Sequence, residues 1–195
     1  MPLRYVNEYA RLELDLGHLE KAEKLQQDAV ASCRAALGDS HPETLISLTH
    51  MAGLLRAQNK PAQAEPIARE VLAGWKAIEA GERVRRNTLT SSNILAELLH
   101  TQGKDAEAEP LTREVLGGFV EALGPKHPYS VSAAENLAGV LKSLGRESEA
   151  LAILNKFGLS APLGPIGEEG GAAGAQNGIR AHADETDKFL AGDVD

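Results

Sequence analysis

At 195 residues the chain has room for one domain of ordinary size. Its apolar content of 43% is that of a globular protein, but only 4% is aromatic; Ala and Leu supply the rest, which favours close-packed helices over a β-sandwich. The net charge of −8 excludes the basic footprint that nucleic-acid backbones require, and the single cysteine, Cys33, excludes an internal disulfide and a Cys-rich zinc site. With no apolar run of about 18 residues and no signal pattern, a soluble cytoplasmic protein without membrane contact is expected.

Four related units follow one another. The first, residues 1–37, carries NEYARLELDLGHLEKAEKLQQDAV at 7–30. Cys33 falls on an apolar helix face there and reads as a buried, inert thiol. The tetrapeptide GDSH at 38–41 is a loop, and Pro42 suits the first turn of the next helix. The second unit, 42–79, holds TLISLTHMAGLLRAQNKPAQAEPIAREVLAGW at 44–75. The connection AGERVRRNT is two residues longer than its neighbours and leads to the third unit, 86–123, where TLTSSNILAELLHTQGKDAEAEPLTREVLGGF repeats the motif at 88–119. GPKH is again a loop. Pro128 opens the fourth unit, 128–157, with VSAAENLAGVLKSLGRESEALAIL at 131–154.

The copies register on Ala10, Ala52, Ala96 and Ala138, at spacings of 42, 44 and 42, and a second small residue lies twelve further on each time, at Ala22, Ala64, Ala108 and Ala150. Between them stand Gly17, Asn59, Gly103 and Gly145, residues that tolerate the left-handed conformation ending a helix. Before the turn, apolar residues recur at helical spacing (Leu45, Leu48, Met51, Ala52, Leu54, Leu55); after it they do so again (Ala64, Ile67, Ala68, Val71, Leu72, Trp75, Ile78). Each unit is therefore an antiparallel helical hairpin. Alanines in fixed register mark the points where helix axes cross closely, and larger residues fill the space between. The predicted fold class is all-α, an α-solenoid of about four hairpins spanning residues 1–157.

From Gly158 the composition changes. Residues 158–178 hold seven glycines and two prolines, and residues 158–195 carry seven acids against Arg180 and Lys188. This acidic tail, 158–195, is expected to be mostly disordered, with a marginal short helix at 180–191.

The Leu/Ala…Gly…Ala…Ala pattern resembles the tetratricopeptide repeat. ALGDSHPETL with QNKPAQAEP, and ALGPKHPYSV with NLAGVLKSLGRESEA, are similar to the longer repeat of about 42 residues found in kinesin light chains. The resemblance covers residues 3–157. It departs at Asn59, where glycine is usual, and at Tyr9-Ala10, where the Leu-Ala dipeptide is missing. It implies a right-handed superhelix whose first helices line a concave face. Carried over by position, the groove would hold Asn7, Thr49, Asn93 and Glu135; Arg11 and Glu97; and Arg56, His100 and Lys142 as a basic ladder. Arg4, Ile46, Thr90, Ser132, Gly53, Gly139, Leu14, Asp15, Ala57, Thr101 and Ser143 fill the remaining groove positions.

The function this implies is a non-catalytic scaffold binding an extended, partly acidic segment of a protein partner, with no cofactor. The alternative is an oligomerisation or sensor segment of a larger signalling protein. No polar capping helix is evident, so a fragment of a longer array is expected, with an uncapped apolar edge open to self-association. A third expectation is that the acidic tail folds back onto the basic ladder and competes with a partner. Catalytic and metal motifs fail. His41 and His127 occupy one loop position in two repeats, no HExxH occurs, and Glu65/Glu109 and Glu70/Glu114 recur on second helices as a solvated face would.

Overall fold

The computed structural model describes residues 3–79 and 81–159, with side chains from residue 6 onward except that of residue 8. The expectations for the tail beyond residue 159 lie outside the described residues. Eight α-helices and no strand are present among the described residues: α1 (Leu3–Asp15), α2 (Leu19–Leu37), α3 (Pro42–Ala57), α4 (Pro61–Ala77), α5 (Glu82–Thr101), α6 (Asp105–Leu123), α7 (Pro128–Ser143) and α8 (Glu147–Lys156). Each helix packs on the next, forming four hairpins in a row. Odd helices also pack backbone to backbone against odd helices, α1 on α3, α3 on α5 and α5 on α7, whereas even helices reach one another through long charged side chains. The odd helices thus crowd the inner face of a curved α-solenoid, and the even helices splay along its outer side.

The turns follow from the chain's own chemistry. Gly17, Asn59, Gly103 and Gly145 all have positive φ, Asn59 at 56° being the one non-glycine. At each, two backbone bonds close the helix end. The Asn59 N–H donates to Arg56 O and the Lys60 N–H to Leu55 O, at 2.9 Å both, with the same pair from Gly103 and Lys104 to His100 and Leu99. These are the paired bonds of a Schellman cap.

All eight register alanines are buried, at 2% exposure or less. They sit where a longer side chain would push helices apart, and Trp75, Phe119 and the leucines fill the space beside them. Gly74 has the same role, since a Cβ there would lie 2.5 Å from the Leu45 Cδ2. Gly118 meets Leu89 in the same way.

Two details depart from the sequence reading. The long connection is not looped out: α5 begins at Glu82, adding a helical turn before the expected start near residue 86. Its arginines find outward partners, Arg83 with Glu43 at 3.1 Å and Arg85 with Glu121 at 3.3 Å. The paired histidines are helix caps. His41 Nδ1 accepts the Glu43 N–H and His127 Nδ1 accepts the Tyr129 N–H, each at 3.2 Å. Each thus satisfies one of the donors a helix start leaves open.

Candidate functional site on the odd-helix face

The inner face presents residues from α1, α3, α5 and α7. Its centre is a polar network running across three repeats. Arg56 on α3 donates through Nη1 to Glu97 Oε2 on α5. Glu97 Oε1 accepts from Asn93 Nδ2 at 2.7 Å and from Asn136 Nδ2 on α7 at 3.2 Å; Asn136 also reaches Asn93 Oδ1 at 3.4 Å. The Arg56 side chain is only 23% exposed, its Nε is buried without a protein partner, and burial lowers its pKa from the ordinary value.

Register explains why these groups meet. Arg56 lies four residues after Ala52, and Glu97 one after Ala96. The same two positions bring His100 beside Gly139, where a Cβ would lie 3.7 Å from His100 Nε2. Position four of these repeats faces position one of the next, so what occupies that pair sets the local chemistry: charged at Arg56, imidazole at His100.

The other groove positions are distributed unevenly. Thr49 is buried, its hydroxyl donating to Leu45 O at 2.8 Å; Thr90 and Ser132 are buried as well. Asn7 accepts from Gln26 Nε2 at 3.0 Å, and the same amide donates to Ser47 O, tying the first hairpin to the second. Glu135 and Lys142 are exposed and Arg11 is half-buried; the Arg4 side chain lies outside the described residues. The basic ladder is therefore already engaged at two of its rungs: Arg56 with Glu97, and His100 through Nδ1 with Asp105 at the start of α6. Sequence register did not single out Asn136, because the same position holds His50 and Ile94 in the preceding repeats.

The outer side carries a different pattern. The residues just before α4, α6 and α8 reach back to the previous repeat: Lys60 to Glu23 at 2.8 Å, Lys104 to Glu65 at 2.6 Å, Arg146 to Glu109 at 3.2 Å. Along the even helices Arg34 meets Glu70, Arg69 meets Glu107, Lys76 meets Glu114 and Arg113 meets Glu149. The recurrent glutamates are thus inter-repeat clamps. Glu65 shows it most clearly: bonds from Lys104 first, then Arg69 and Gln102, hold its carboxyl at about 2. Cys33 is buried, with Sγ 3.3 Å from the Ser47 hydroxyl. Among the described residues no cluster of three or more His, Cys, Asp or Glu is placed to hold a metal ion, and no helix is long and apolar enough to cross a membrane.

The family model described as Tetratricopeptide repeat matches residues 4–77 and 85–156, which is most of the four hairpins. The chain belongs to the tetratricopeptide repeat family. Among solved tetratricopeptide structures, a kinesin light chain-like protein of Podosopora anserina with nearly identical TPR-like repeats superposes with a TM-score of 0.73 at 23% identity, over 97% of this chain and 93% of that one. A point variant of that protein gives 0.74 at 24% identity, over 80% and 72% of the two chains. BtubC (BKLC) of P. vanneervenii gives 0.69 at 15% identity, over 86% and 68%. These likenesses show the kinesin-light-chain type of tetratricopeptide solenoid. A comparison with curated proteins gives no match. Tetratricopeptide arrays generally serve as protein–protein interaction scaffolds, and they are typically non-enzymatic.

Proposed function

We propose that this tetratricopeptide array is a non-catalytic scaffold whose odd-helix face binds an extended, partly acidic segment of a partner protein. The observation that carries the reading is the network of Arg56, Glu97, Asn93 and Asn136, which gathers variable polar residues of three repeats on one face. Such residues do not hold the hairpins closed; alanines and leucines do that. Asn93 and Asn136 offer amide donors and acceptors at the spacing of successive helices, as an extended backbone requires. Arg56 is desolvated and its charge is answered by one carboxylate, so an acidic side chain of a partner competes with Glu97 for the same guanidinium. The exposed Lys142 adds a second cationic contact one repeat beyond His100.

The test is selection of peptides from a displayed random library on the whole chain. Binders should be enriched in Asp and Glu and should lose affinity for the Arg56→Glu/Lys142→Glu variant. Lys24→Glu, which reverses one charge on the outer helix α2, should bind as the parent does. Equal binding by all three proteins, with unchanged helical content, would refute the reading.

A further inference from the structure

The two ends of the solenoid depart from its middle in a matched way. On the α1 side Tyr9, Leu12, Leu16 and Leu19 are 36%, 53%, 60% and 46% exposed. The positions of Tyr9 and Leu12 belong to Met51 and Leu54, Leu95 and Leu98, and Leu137 and Val140 in the later repeats, all buried at 8% or less beneath the preceding hairpin. The exposed face of α1 is therefore the receiving half of an inter-repeat interface. At the other end Leu151 on α8 is 52% exposed, with Leu154 and Phe157 half-buried beside it.

Inside the array the position of Leu16 is Gln58, Gln102 and Leu144, and the position of Leu151 is Glu23, Glu65 and Glu109. These two positions touch across repeats, Gln102 Nε2 donating to Glu65 Oε2 at 2.8 Å. Every interior pair has glutamate on one side, facing Gln58, Gln102 or Leu144, whereas the two free ends offer leucine on both sides. The clamp changes in step. Lys60, Lys104 and Arg146 each reach a glutamate of the preceding repeat, but the corresponding His18 turns to Glu13 of its own hairpin at 2.7 Å. The first hairpin thus does not call for the glutamate that the last hairpin lacks.

We propose that copies of this chain stack head to tail, α1 of one copy seated on α8 of the next, with Leu16 against Leu151 continuing the internal inter-repeat contact. The interface is heterologous, so it propagates instead of closing on a pair. It is separate from whatever the odd-helix face binds. In this register Lys142 of one copy faces Arg11 of the next, at the positions held inside by Arg56 and Glu97. Like charges there weaken the stack, and salt relieves the repulsion.

Sedimentation velocity of the full chain across a concentration series, at low and high salt, tests this. Association beyond the dimer, strengthened by salt, is expected. Leu16→Gln imports the residue of the second and third repeats and Leu151→Glu that of the first three, so helicity should be kept while each weakens association about tenfold or more. The double variant should regain much of the loss by recreating the glutamine–glutamate pair. Arg11→Glu should strengthen association at low salt. A chain monomeric at every concentration would overturn the proposal. So would sensitivity to Leu16→Gln without sensitivity to Leu151→Glu, the sign of two α1 faces packed together, or a double variant no better than the worse single one.

Discussion

Arg56 and Glu97 sit on neighbouring inner helices, separated by forty-one residues in sequence, and close an ion pair at the centre of the inner face. The pair is largely shielded from water, with side-chain exposures of 23% and 25%. It fastens the second repeat to the third.

Removing one partner should therefore cost more than removing both. Glu97→Ala leaves a desolvated guanidinium alone and should destabilise by about 1–3 kcal/mol in urea unfolding. Arg56→Met/Glu97→Leu should cost less than Glu97→Ala alone, since no guanidinium is left unpaired, the remaining loss being the acceptor of Asn93 and Asn136.

The histidine caps give a local prediction. His41→Ala and His127→Ala should each cost about 0.5–2 kcal/mol, and His41→Ser should restore most of it, because a hydroxyl accepts the same N–H. Chemical denaturation of the three variants checks this.

The crossing alanines are the tightest points of the fold. Ala64→Leu and Ala108→Leu should each destabilise by about 1–3 kcal/mol through overpacking. At exposed Ala62 or Ala106 the same change should fall within about 0.5 kcal/mol. Thermal melts of the four variants decide whether register or composition placed the alanines.

Acid should loosen the outer clamps. The Glu65 carboxyl is held at about 2 by Lys104 first, and Glu109 and Glu149 are lowered by Arg113 and Arg146 respectively. In the unfolded chain these carboxyls titrate near 4.5. A carboxylate depressed in the fold adds stability that is fully present above the unfolded value and disappears as pH falls through the folded one. Stability should thus be flat above about pH 5 and decline toward pH 2. Lys104→Met should make that decline shallower, a difference readable in melts across the acid range.

Local chemistry was legible in the sequence because it repeats. The eight alanines and the turn residues Gly17, Asn59, Gly103 and Gly145 each depend on a few neighbours, and four copies reinforce one another. Relations between repeats were not. Arg56 and Glu97 are both polar at variable positions, and only the crossing of α3 with α5 makes them partners. The glutamate clamps were equally hidden: Glu65 and Glu109 recur as a solvated face would, and their basic partners stand one repeat away. The histidine caps were obscured because a cap is ordinarily Ser, Thr, Asp or Asn. The extra turn of α5 was masked by a run of arginines that reads as a loop.

The central claim is that the odd-helix face is where a partner binds. Amide chemical-shift mapping with a library-selected peptide tests it most directly. Perturbations should concentrate on α3, α5 and α7 around Arg56, Asn93, Glu97, His100 and Lys142, with α2, α4 and α6 unmoved. Perturbations confined to the even helices, or to the outer face of α1 alone, would contradict it.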